Sequence, residues 1–343
     1  MFFNTYKFVT MKKALFIIIS ILAIWFAFFS CQKMFDNPYD AIFLNKDAWA
    51  PDSLNYSILS KNKVKLTWTQ NESRIDGFVI DKFYKNQWIN NYAFVTKDKN
   101  YWIDTYSDHE PPTIAKYRIY ATAGNNKSAI KELETFIGLI DTRDNNYYKI
   151  EKIDNQIWMA ENLKYLPSVN SVAYGSETIP HFYVYGYDGT DVEEAKATEN
   201  YATYGVLYNW SAAMAGATSS NSNPSGVQGI CPEGWHLPSD TEWKQLTDYL
   251  GENAGGKLKE AGTTHWNAPN TEATNESGFT ALPGGYRDNS GYFYSMGYNG
   301  SWWSSTEDDT VNAWLQHLSF NFFSAYRLSN NKSIGLSVRC VRN

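Results

Sequence analysis

The sequence is short of charge, of cysteine and of histidines placed to bind anything. Charged residues make up 19% of the 343 and aromatics 17%. A disordered chain needs the opposite balance and is excluded. Three cysteines and five histidines (His109, His181, His236, His265 and His317) never fall at metal-ligand spacing, which argues against a zinc centre. A Gly-x-Ser-x-Gly elbow and a phosphate-cradling glycine loop are both missing. Basic residues are scarce where nucleic acid would need them. Residues 141–343 hold 13 Lys+Arg against 23 Asp+Glu, whereas residues 1–140 hold 17 against 13. The acidic second part argues against a nucleic-acid partner. With no nucleophile, base or metal set singled out, the reading is non-catalytic and without a cofactor.

The one long apolar run is Ala14 to Ser30, 17 residues, preceded by Lys12 and Lys13 and ended by Cys31. A charged flank, an apolar core and a small residue before a cysteine describe a secretory leader. The pattern resembles a bacterial lipoprotein signal, in which the cysteine is lipidated and becomes the new N-terminus. Phe28 and Phe29 depart from it, standing where such signals carry Leu and a small residue. The alternative is an uncleaved anchor helix at the short edge of a membrane span. Met11 is an alternative start. The expected division is a signal peptide over 1–30, a tether over 31–52 and two domains over 53–137 and 138–343. The expected location is the cell envelope, at the outer membrane, lipid-anchored and either periplasmic or surface-exposed. Disulfides are allowed there.

Over 53–137 the pattern alternates with period 2. Val64, Leu66 and Trp68 share one strand face, Gly77-Phe78-Val79-Ile80 opens another strand, and Tyr117, Ile119 and Ala121 alternate before Gly124-Asn125-Asn126 turns the chain. Short strands with regular turns read as an antiparallel sandwich. These residues resemble a fibronectin type III domain. Its aromatics read as core, with a partner-binding face near Tyr84, Trp88 and Tyr92 as the alternative.

In the second part, residues 144–166 read as a hairpin turning at Asp154-Asn155. Leu207, Trp210 and Met214 fall at helical spacing within 204–216. Ser239 and Glu242 form a capping box for a helix with Trp243, Leu246 and Leu250 as its apolar stripe and Gly251 as its stop. From Phe279 onward the signals are short strands.

Five strings, IWMAENL, CPEGWHLPSDTEW, GFTALPGGYR, WWSSTE and SVRCVR, occur in that order over about 145–343. They resemble the Fibrobacter succinogenes major paralogous domain, a family of secreted and surface proteins. More distantly the layout is similar to an α+β C-type-lectin-like fold. That likeness implies a Cys231–Cys340 disulfide, with two buried free thiols as the alternative. It also implies kinship with sulfatase-modifying oxygenases, but their reactive thiol pair near the C-terminus is reduced here to Cys340.

The binding reading rests on aromatics. Tyr286, Tyr292, Phe293, Tyr294, Tyr298, Trp302 and Trp303 crowd into eighteen residues among Gly, Ser and Asn. Flat rings rimmed by amides and hydroxyls suit sugars or protein ligands. Tyr292, Tyr294, Tyr298, Trp302, Trp303, Arg287 and Asp288 are the candidate ligand residues, with burial in the core as the competing reading for the two tryptophans. Glu307, Asp308, Asp309 and Asn312 are weak calcium candidates against a plain acidic turn. The expected partners are the membrane through the lipid anchor and a glycan or surface protein. An assembly component of a surface complex is the alternative.

Overall fold

A computed structural model describes residues 45–84, 86–106 and 113–343. The signal peptide, Cys31 and the tether as far as residue 44 lie outside them, as does His109. Among the described residues no helix is long and apolar enough to cross a membrane. The chain divides into two compact units between Thr135 and Phe136.

The first unit is an antiparallel sandwich. After a 3₁₀ turn at Lys46–Trp49, its strands are β1 (Asp52–Ser60), β2 (Lys63–Thr69), β3 (Gly77–Tyr84), β4 (Gln87–Thr96), β5 (Tyr101–Thr105), β6 (Ile114–Ala123), β7 (Asn126–Lys127) and β8 (Lys131–Phe136). One sheet runs β1-β2-β5, and the other β4-β3-β6-β7 with β8 also on β6. The alternation works as the sequence predicts. Val64, Leu66 and Trp68 are buried, and so are Phe78 and Ile80 from β3 and Tyr117, Ile119 and Ala121 from β6. Trp68 meets Phe78 edge-on at 5.0 Å. Gly77 is required by space: a Cβ there would lie 2.4 Å from the Val95 carbonyl oxygen across the ladder.

The second unit has many short strands. They are β9 (Leu139–Ile140), β10 (Tyr147–Tyr148), β11 (Ile150–Ile153), β12 (Gln156–Met159), β13 (Phe182–Tyr183), β14 (Leu207–Tyr208), β15 (Trp235–His236), β16 (Gly284–Arg287), β17 (Phe293–Met296), β18 (Asn299–Glu307), β19 (Asn312–Ser319), β20 (Tyr326–Asn331) and β21 (Val341–Arg342). The main sheets are β11-β12-β21-β15 and β18-β19-β20, with β16-β17 a separate hairpin. The β11–β12 hairpin turns at Asp154, whose φ is 54°. Ser239 and Glu242 close the capping box on the Asp240–Leu250 helix. One expectation is corrected: Leu207 is strand, and the helix runs only Trp210–Met214. Asn209 starts it, accepting the Ala212 amide, so the residues before it are free to pair with β13.

Strand β18 lies between two cores, and both its faces are buried. Trp303 joins Tyr208, Leu336 and Val338 on one side, and Trp302 joins Trp158, Trp243, Trp266 and Phe279 on the other. A Cys231–Cys340 disulfide ties the first of these cores across 109 residues.

Loop backbone in this unit is satisfied by buried cations. Lys259 donates to the carbonyls of Thr271, Ser319 and Phe322 at 2.9–3.1 Å. Arg339 donates to the carbonyls of Phe279 and Thr280 and to Asn162 Oδ1. A buried carbonyl without a donor costs about 1–3 kcal/mol, so each long side chain offsets several such costs.

Candidate functional site

The five strings build the interior. Asn162, from the first, accepts from Trp302 Nε1 at 2.8 Å and Arg339 Nε at 3.0 Å, and donates to Ser337 Oγ at 3.2 Å. Trp158 stacks on Trp243 at 4.6 Å and meets Phe279 at 5.8 Å. Asn162 and Trp158, from one string, thus touch residues of the other four. Their residue types are dictated by packing, so the strings specify a scaffold.

Three of the candidate ligand residues are therefore corrected. Trp302 and Trp303 have no exposed surface. The indole of Trp303 donates to the Tyr208 carbonyl at 2.8 Å. Consecutive residues on a strand point to opposite faces, and only a strand covered on both sides buries both. Arg287 is also fully buried. Its guanidinium donates to the Val172 carbonyl at 3.0 and 2.5 Å and to that of Ser333 at 3.3 Å, and lies 4.8 Å from the Tyr183 ring. It anchors the β16–β17 hairpin from beneath.

The acidic turn already has its cation. Lys332 Nζ lies 3.0 Å from the Asp309 carbonyl, 2.9 Å from that of Thr310 and 3.3 Å from Glu307 Oε1. Asp309 accepts from the amides of Val311 and Asn312 and from Asn312 Nδ2. Those bonds hold its carboxyl below the usual range. Asp308 accepts from Ser329 Oγ. Among the described residues no group of three or more His, Cys, Asp or Glu side chains is placed to hold a metal.

What remains outside is a tyrosine face on the β16–β17 hairpin. Tyr286 opposes Tyr294 across the ladder, and Tyr292 lies two residues before Tyr294 on the same face. Ring centroids are 6.0 Å apart for Tyr286–Tyr294 and 6.4 Å for Tyr292–Tyr294, tilted by 37° and 57°. Tyr292 is 62% exposed and Tyr294 45%. Asp288 shapes the turn, its Oδ1 accepting the amides of Ser290 and Tyr292 at 3.0 and 2.8 Å. It holds Tyr292 in place. Gly285 makes the pairing possible, because a Cβ at its φ of +64° would lie 2.3 Å from the Tyr294 carbonyl oxygen.

Tyr298 is half-exposed but belongs to a different patch, packed edge-on against Phe320 at 5.1 Å. Two contributors were not legible in the sequence. Tyr185 packs on Phe293 at 4.9 Å behind the hairpin. Tyr174 is strongly exposed on the loop whose Val172 carbonyl oxygen lies 2.8 Å from where a Gly291 Cβ would stand. Both lie about a hundred residues upstream in regions without periodicity, and the Arg287 anchor to Val172 and the close approach of Val172 to Gly291 link that loop to the hairpin.

His236 is buried inside the scaffold. Its Nε2 is 2.7 Å from Glu242 Oε1 and its Nδ1 2.7 Å from Asn343 Oδ1. Burial opposes its charge, but the Glu242 hydrogen bond and charge outweigh this and raise its pKa.

No curated protein matches the chain. Solved structures overlap a quarter of it. They include a redesigned β-sandwich protein (19% identity, 87% of that chain, TM-score 0.22). A fibronectin-like protein from Clostridium thermocellum overlaps at 16% identity, over 88% of that chain, with a TM-score of 0.21. A domain of human contactin 1 does so at 16% identity, over 76% of that chain, with a TM-score of 0.19. The Fibrobacter succinogenes major domain matches residues 152–342, more than half of the chain and all five strings, and the chain belongs to that family.

Proposed function

We propose that this chain is a non-catalytic cell-envelope lipoprotein whose second unit is a lectin-like module binding glycan through the Tyr286–Tyr294–Tyr292 face. Lipidation at Cys31 would tether it to the outer membrane, with the first unit as spacer. The reading rests on one observation: the two hairpin tyrosines most able to stack on a ligand are exposed, while the tryptophans beside them in sequence are buried. Tyrosine rings present an apolar face to sugar C–H groups and a hydroxyl at the edge. Their mutual tilt suits one glycan chain better than a flat crystalline surface. A second reading, a component of a surface assembly, draws on the exposed aromatics Tyr298, Phe322 and Phe323.

A glycan array probed with purified protein, with and without calcium, tests the first reading. Saturable, calcium-independent binding is expected, because Lys332 fills the acidic turn. Tyr294→Ala should weaken it roughly fivefold or more, the loss of about 1 kcal/mol of stacking. Absence of binding by folded protein would refute the glycan reading, and capture of surface proteins through the Tyr298 patch would favour the second.

A further inference from the structure

The first unit buries a lysine and an aspartate that the proposed function leaves unused. Lys82, on β3, and Asp104, on β5, come from opposite sheets of the sandwich. Their side chains are 6% and 2% exposed, and Lys82 Nζ is 2.7 Å from Asp104 Oδ2. Tyrosine rings enclose the amine: the Tyr106 centroid is 3.7 Å away, that of Tyr92 4.8 Å and that of Tyr84 5.8 Å. The Tyr117 hydroxyl donates to the same carboxylate oxygen at 2.7 Å, and the Tyr106 hydroxyl bonds to that of Tyr117. So Tyr84 and Tyr92, two of the three residues of the alternative partner-binding face, each set a ring within 5.8 Å of this lysine, while Tyr92 stays 40% exposed.

We propose that Lys82 and Asp104 join covalently, through an amide between Lys82 Nζ and Asp104 Cγ made by the folded chain itself with release of one water. The geometry supplies what the reaction needs. The nitrogen is held one hydrogen bond from the carboxylate, inside the range where effective concentration replaces a catalyst's positioning. Water is largely excluded, and a buried ion pair is costly to keep charged. Burial pushes the Lys82 ammonium down, against the hydrogen bond and charge of Asp104, which favours the amine form that can attack.

The step balances without any other reactant. A proton passes from the ammonium to the carboxylate, leaving amine and acid. The nitrogen lone pair attacks Cγ, and the C=O electron pair moves onto Oδ1, while Oδ2, which took the proton and also accepts the Tyr117 O–H, becomes the leaving hydroxyl. The C–OH bond then breaks, and the departing oxygen takes a proton from nitrogen and leaves as water. Ammonium plus carboxylate thus becomes amide plus water, with no oxidation or reduction. The product would bolt one sheet of the sandwich to the other.

Peptide mapping of the full chain, reduced, denatured and digested with trypsin, tests this. The expected product is peptide 75–85, uncut after Lys82, joined to peptide 100–116 with a combined mass short by one water. It should be absent from Lys82→Met and Asp104→Ala. Asp104→Asn should restore the same cross-linked mass, because its amide would release ammonia in place of water. Cleavage after Lys82 and two separate full-mass peptides, from wild-type protein shown folded by its cooperative thermal unfolding, would overturn the proposal. So would a mass deficit that persists in Lys82→Met. The wild-type map alone decides if a variant does not fold.

Discussion

In the first unit seven of the eight described strands are five residues or longer, whereas in the second only β18, β19 and β20 of thirteen reach that length. Long ladders satisfy their own backbone. Short strands and long loops cannot, and the second unit meets the need with side chains. Lys259, Arg287, Lys332 and Arg339 are buried and donate mainly to carbonyls, Asn162 links distant strings, and a disulfide closes the core. The contrast shows two ways of solving one problem, since a buried peptide group needs a partner whether or not a neighbouring strand is there.

The largest test of that contrast is the disulfide. Reducing it, or Cys340→Ser with Cys231→Ser, removes a cross-link over 109 residues. The chain-entropy model assigns such a loop about 4–5 kcal/mol. Hydrogen exchange should report loss of protection across the second unit and none in β1–β6. Equal loss in both units would break the comparison.

Arg339→Met comes next. It orphans the carbonyls of Phe279 and Thr280 and removes one of the two hydrogen bonds that Asn162 Oδ1 accepts. Chemical denaturation should show about 3 kcal/mol of destabilisation. Lys332→Met should cost about 2 kcal/mol by the same route, read in the same denaturation.

The pH test is smaller. The His236 pKa is raised in the folded state, so its contribution is fully present below about 6.5 and is lost as pH rises through the folded value. The second unit should be less stable at pH 8 than at pH 6, and His236→Gln should flatten that slope. The smallest stability effect belongs to Tyr292→Ala, within about 0.5 kcal/mol because the ring is exposed, although the same variant should weaken glycan binding.

The first unit was legible because period-2 alternation maps directly onto a sandwich with one buried face per sheet. Val64, Leu66 and Trp68 needed nothing but their spacing. In the second unit the same rule failed at Trp302-Trp303, because β18 is covered on both sides and alternation carries no information there. Local signals survived: the Ser239–Glu242 capping box and the Asp154 turn depend on neighbours within four residues. The aromatic candidates could not be sorted into core and surface by composition, since Tyr292 and Trp302 differ only in what folds over them. Arg287 had the charge of a ligand contact and became an anchor because loop carbonyls surround it.

By itself the sequence determined the acidic, aromatic-rich second part, the helix caps, the hairpin turns and the strings that place the chain in its family. All of these are set by residue type or by short-range spacing. Only the tertiary structure decided which rings are exposed, which cations serve loop backbone, and that Lys82 and Asp104 face each other across the sandwich. Those outcomes depend on contacts between residues far apart in the chain, where burial and hydrogen-bond demand override what any local pattern records.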